Sequence, residues 1–164
     1  MINVLCRHIL FGIKRNGERW LLILSIKKQV LLTIAFSSWR VVKIIPIITT
    51  GGAGGLTDPV AIQISDLSRT YNDPLAAKVR SQLRNEHNFP RNSKRSFRIE
   101  CVFSGQQPVY PKSDGTVSHE KPGIHGISLD CSMGYGSATT VTATFGNVAA
   151  SRVINKTLQK HKKK

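Results

Sequence analysis

The stretch Ser96-Phe97-Arg98-Ile99-Glu100-Cys101-Val102-Phe103 decides how the chain is read. Phe97, Ile99, Cys101 and Phe103 fall on one face; Arg98, Glu100 and Val102 fall on the other. A period of two marks a half-buried strand. Two later runs repeat it: Ile127, Leu129 and Cys131 against Ser128, Asp130 and Ser132, then Val141, Ala143 and Phe145 against Thr140, Thr142 and Thr144. Gly134-Tyr135-Gly136 lies between them, the glycine-flanked kind of connection that joins antiparallel neighbours. The pattern predicts a small three-stranded antiparallel sheet with one apolar face, which needs a helix against it.

Two helices flank the strands. Asp73-Pro74 combines a capping carboxylate with proline at the first helical position. Ala76, Val79 and Leu83 follow as an apolar stripe, with Arg80, Arg84 and His87 on another face, and Asn88 and Pro90 end the run. A second helix is predicted from near Asn147, burying Ala150, Val153, Ile154 and Leu158. Arg152, Lys156 and Lys160 form a separate basic line on it, extended by Lys162, Lys163 and Lys164. The fold class expected is α+β, in the order helix–three strands–helix, with a basic, apolar N-terminal extension.

That order resembles the double-stranded-RNA-binding domain. The resemblance is one of element order. Asn147-Val148-Ala149-Ala150 stands where that family has phosphate-gripping lysines, and residues 105–126 make a longer connection than its strands use. None of the family's functional residues is carried over.

Charge points the same way. The 164 residues carry a net charge of +15, with 24 basic and 9 acidic side chains. Residues 1–57 hold eight bases and one acid, and residues 58–164 hold sixteen and eight, so both halves are basic. Such a surface attracts polyanions: nucleic acid, with RNA favoured, or an acidic membrane. The alternative is that the charge only keeps the chain soluble. Cysteines at 6, 101 and 131 have no zinc spacing, so no metal or other cofactor is expected. Cys101 and Cys131 share the inward parity of their strands and read as two buried thiols or, in an oxidising compartment, one disulfide.

The N-terminal region has Glu18 as its single acid before residue 50, and two short apolar runs, residues 20–26 and 30–36, split by Lys27-Lys28-Gln29. Central lysines argue against a membrane span. An organelle transit segment, a cleaved secretory signal ending near Ala35-Phe36-Ser37, and ordinary elements packing on the domain all remain open. Residues 41–49 are β-branched and strand-like, with Pro46 suggesting an edge. Gly51-Gly52-Ala53-Gly54-Gly55 lacks the lysine and hydroxyl of a phosphate loop and reads as a flexible linker. The boundary is accordingly expected at 57, between an extension (1–57) and a compact domain (58–164) that opens on the strand-like run 60–64.

For binding, Arg91, Lys94, Arg95 and Arg98 sit between Phe89 and Phe97, charge interleaved with rings as in single-stranded nucleic-acid grooves. The structural alternative is a solvated connection whose rings enter the core. For chemistry, residues 105–126 hold Tyr110, Lys112, Asp114, His119, Glu120, Lys121 and His125. His119-Glu120 with His125 does not make a zinc-binding helix, because Pro122-Gly123 intervenes. A histidine and carboxylate there, or Glu100, with Arg98 beside a phosphorane, describe metal-independent RNA cleavage; a salt-bridged surface is the bland reading. Asn155-Lys156-Thr157 is a glycosylation triplet if the chain is secreted.

The expected function is a non-enzymatic RNA-binding protein, such as a ribonucleoprotein component, located in an organelle or the cytoplasm. The alternative is a small secreted single-disulfide toxin, effector or ribonuclease. A third reading is peripheral membrane attachment through residues 1–50.

Overall fold

Strand β5 (Ile99–Ser104) forms where the alternation places it, with a buried apolar cluster on each of its two faces. The computed structural model describes residues 10–15, 18–23, 47–92, 94–112, 114–120 and 135–161. In chain order the elements are β1 (Leu10–Arg15), β2 (Glu18–Ile23), β3 (Ile47–Thr50), β4 (Ile62–Asp66), a 3-10 turn (Leu67–Arg69), α1 (Pro74–Glu86), β5, β6 (Tyr110–Pro111), β7 (Val117–Ser118) and α2 (Thr139–His161).

The sheet order is β1-β2-β3-β5-β4. β2, β3 and β5 run parallel, while β1 and β4 close the edges antiparallel. The fold is therefore mixed α+β, with a helix against each face of a mixed sheet, rather than a helix–three strands–helix meander. β3 departs most from expectation. It lies between β2 and β5 with all four residues buried, so it is a central strand and not an edge. The boundary expected at 57 falls inside this sheet, since β1–β3 precede it and β4 and β5 follow it.

Parity on β5 and β3 divides the core. Ile99, Cys101, Phe103 and Ile47 face α1, where they meet Ala76, Val79 and Leu83 together with Phe89 and Phe97. Val102 and Ile48 point the other way and meet Val141, Phe145, Ala149 and Val153 of α2. α1 begins as its sequence predicts: the Asp73 carboxylate caps it by accepting from the Ala76 amide at 2.9 Å, and Pro74 occupies the first turn.

α2 corrects the third predicted strand. Val141 and Phe145 are buried, as a period of two would require, but Ala143 between them is exposed and Ala149 and Val153 continue the buried line. Spacings of four satisfy both a strand and a helix over five residues; only the longer run separates them. Two of the threonines that suggested a polar strand face bond back along the helix instead, Thr142 Oγ1 donating to Thr139 O at 3.2 Å and Thr144 Oγ1 to Thr140 O at 2.7 Å. The stripe expected from Asn147 is displaced as well, because Ala150 is exposed and Ile154 and Leu158 are 56% and 55% exposed. Burying the Val141 and Phe145 side chains is worth about 1.5–3 kcal/mol each, which outweighs the weak β preference of valine and threonine. The run predicted around Ile127, Leu129 and Cys131 lies outside the described residues.

Candidate functional site

At the amino-terminal end of β5, several charged side chains converge on a groove. Asp66, the last residue of β4, pairs in register with Glu100 of β5. Its carboxylate accepts the backbone amides of Phe97 (2.9 Å) and Arg98 (2.8 Å), and also the amide (3.0 Å) and hydroxyl (2.6 Å) of Ser68. Arg98 has φ +60°, a left-handed conformation that non-glycine residues rarely adopt. The two amide bonds to Asp66 hold it there, so the turn entering β5 is anchored.

Glu100 lies on the α2 side of the sheet. Arg152 grips it with two hydrogen bonds, Nε to Oε2 at 3.1 Å and Nη2 to Oε1 at 2.9 Å, and Lys156 Nζ adds a third contact at 2.7 Å. Burial pushes the Glu100 carboxyl up, but the hydrogen bonds and charges of Arg152 and Lys156 outweigh it, so its pKa lies below the ordinary range. The same hydrogen bonds raise Arg152. One carboxylate thus serves two cations, leaving the trio with a net positive charge.

Arg69, Arg98, Arg152 and Lys156 line the groove together with Asp66 and Glu100, around a volume of about 380 Å³. Ser65 and Ser96 contribute hydroxyls, and Ile64 is its single apolar wall. Among the described residues no carboxylate forms an ion pair with Arg69 or Arg98. The groove therefore carries two more positive than negative side chains, with the Arg69 and Arg98 guanidinium groups outside any ion pair among the described residues.

The sequence-predicted site residues divide into three sets. Arg98, Arg152 and Lys156 meet in this groove although they are far apart in the chain. Arg91, Lys94 and Arg95 are exposed outside it, Arg91 donating to Asn85 Oδ1 at 3.2 Å. Lys160 lies within α2, and Lys162, Lys163 and Lys164 lie outside the described residues. The rings that were to stack bases are core residues: Phe89 is 2% exposed and Phe97 0%, packed edge to face at 5.0 Å, with Arg84 over the Phe97 ring. Cys101 is a fully buried free thiol whose pKa burial drives upward, and Cys131 lies outside the described residues. In the loop, His119 Nδ1 sits 3.0 Å from Pro108 O; Lys121 and His125 are not described. Among the described residues no group of His, Cys, Asp and Glu could hold a metal, and no helix is long and apolar enough to cross a membrane.

Sequence reading missed Arg69 and Asp66. The available signal was Asp66-Leu67-Ser68, an aspartate two residues before a serine at a strand end, which favours a side-chain-capped turn.

The opposite end of the sheet is built from the glycine run. Gly51 N donates to Val102 O at 2.8 Å, Gly52 N to Asp73 Oδ2 at 3.0 Å, and Gly55 N to Gly136 O at 2.9 Å. A Cβ at Gly51 would meet Asp73 Oδ2 at 1.9 Å, so glycine is required by close approach. The run read as a linker is thus bonded along its length and ends on Leu56, 4% exposed. Asp73 is 6% exposed, and burial raises its pKa despite the amides of Ala76 and Gly52.

No family model matches the chain. By sequence it is similar to a class of bacterial tRNA-modifying enzymes. The tRNA threonylcarbamoyladenosine dehydratase of Escherichia coli is 50% identical over 117 residues, covering 71% of this chain and 44% of that protein. The Haemophilus influenzae protein of the same name is 51% identical over 116 residues, 71% of this chain and 42% of its own length. By structure, the particular likeness is to the protein described as TcdA (CsdL), with a TM-score of 0.71 and 40% identity over 87% of this chain and 52% of that one. The E. coli dehydratase solved with AMP superposes with a TM-score of 0.64, at 36% identity over 87% of this chain and 49% of that one. The chain spans about half the length of the relatives it matches.

These likenesses overturn two expectations. A non-enzymatic RNA-binding protein such as a ribonucleoprotein component, and a secreted toxin, effector or ribonuclease with a signal peptide, are both displaced, because the relatives are tRNA-modifying enzymes. Net charge alone could not separate a ribonucleoprotein component from a piece of an enzyme of the relatives' kind. The membrane reading gains no support from them either.

Proposed function

We propose that this chain works as part of a tRNA threonylcarbamoyladenosine dehydratase, acting on that nucleoside within tRNA by removing water. The observation that carries the reading is the 50% identity to the E. coli enzyme over 117 residues, supported by a matching fold. Dehydrating a carboxylic acid requires its oxygen to depart as something better than hydroxide. ATP, found bound to the E. coli protein, supplies such a leaving group. With tRNA as substrate, the working compartment is the cytoplasm. In this reading the described residues provide the sheet, the closed loops at the carboxyl ends of β3 and β5, and the basic groove at the other end.

A chimera tests it. The matching 117-residue segment of the E. coli dehydratase is replaced by the corresponding residues of this chain and expressed in a strain lacking the enzyme. Mass spectrometry of tRNA nucleosides should then show threonylcarbamoyladenosine converted to a product lighter by one water. A chimera that melts cooperatively yet leaves the nucleoside unconverted would overturn the reading.

A further inference from the structure

We propose that the groove between the β4–β5 edge and α2 is a docking site for the sugar-phosphate backbone of tRNA, with Arg69 and Arg98 as its phosphate-contacting residues. This rests on the proposed tRNA substrate and adds where the RNA is held. Four cations and two carboxylates line the groove, and both carboxylates are already committed: Asp66 to backbone amides and a hydroxyl, Glu100 to Arg152 and Lys156. The positive charge of Arg69 and Arg98 therefore remains available to a ligand. Arg98 is held in its left-handed turn by Asp66, so part of the cost of ordering a binding residue is already met in the free protein.

The lining also says which part of RNA fits. No aromatic side chain is among the lining residues, and Phe89 and Phe97 are buried, so there is no platform on which a base could stack. Guanidinium groups and the hydroxyls of Ser65 and Ser96 suit phosphate and ribose oxygens. Contacts of this kind fix position and register and carry no sequence information. The glycine run lies beyond the other end of the parallel strands, so the groove holds the tRNA body while any chemistry at the strand carboxyl ends proceeds elsewhere.

The test compares the unaltered 164-residue chain with two doubly substituted forms of equal net charge. Arg69→Ala/Arg98→Ala alters the groove; Lys78→Ala/Lys112→Ala removes two exposed lysines outside it. Affinity for bacterial tRNA is measured by fluorescence anisotropy across salt concentrations, and ATP binding by calorimetry. The groove variant should bind tRNA on the order of tenfold more weakly, with the slope of log K against log salt reduced by about 1.4–1.8, the loss of two phosphate contacts. The lysine variant should keep a slope close to that of the unaltered chain. Equal losses in both variants would mean diffuse charge and overturn the proposal, as would an unaltered chain that does not bind tRNA. Loss of ATP binding with tRNA affinity intact would assign the groove to the free nucleotide and overturn it too. The chimera's nucleoside product is read independently, so the dehydratase assignment can stand while the groove assignment falls.

Discussion

The two ends of the sheet each hold a carboxylate, and they use it in opposite ways. Asp73, beyond the carboxyl end of β3, is buried and surrounded by backbone: it caps α1 through Ala76 and fastens the glycine run through Gly52. Gln106 closes the same region by accepting from the amides of Thr57 and Asp58 at 3.0 Å each. Glu100, at the amino end of β5, is half-buried and surrounded by side chains, with Arg152 and Lys156 on it and two further arginines beside it. Where the partners are backbone amides, the carboxylate is a structural fastener. Where they are flexible cations in excess, positive charge is left unneutralised.

The largest expected effect is at the closed end. Gly51→Ala should lower stability by about 3 kcal/mol, because the new Cβ overlaps Asp73 Oδ2 and must displace the cap it holds. Chemical denaturation of the two proteins measures it, and a loss below about 1 kcal/mol would mean the run is the slack connection its composition suggests. A smaller effect is expected at the open end. Arg152→Ala should cost about 1 kcal/mol, since the pair is partly solvated and Lys156 remains to satisfy Glu100. A cost equal to that of Gly51→Ala would erase the distinction between the two ends.

Titration gives the smallest and most discriminating difference. The Glu100 pKa is held below its ordinary 4.5, so its contribution is present above that value and lost as pH falls through the lowered one. Asp73 is raised above its ordinary 3.8, so its contribution is fully present below 3.8 and lost as pH rises through the raised value. Thermal melts across the acid range should therefore show the advantage of the unaltered chain over Glu100→Gln shrinking on acidification. Its standing relative to Asp73→Asn should improve over the same range. Trends in the same direction for both variants would contradict the assigned environments.

Much of this was legible in residue order. The alternation in β5, the Asp73-Pro74 start of α1 and the stripe Ala76, Val79, Leu83 are local signals, and the structure keeps them. Val141 to Phe145 was not legible, because five residues cannot tell a period of two from a spacing of four. The central position of β3 was not legible either: a short β-branched run after a proline looks the same whether one neighbour pairs with it or two. For the groove, Arg98, Arg152 and Lys156 were identifiable as basic residues on predicted elements. Nothing local showed that Glu100 would bring two of them to the third.

By itself the sequence determined the strong net charge, the strand at β5 and the capped first helix, since each follows from residue type and short-range spacing. The tertiary structure alone decided which strand is central, that the glycine run is fastened, and which cations face one groove. Those outcomes depend on pairing between residues distant in the chain, such as Asp66 with Glu100 and Glu100 with Arg152. Pairings of that range form when the chain closes on itself, and no local preference encodes them.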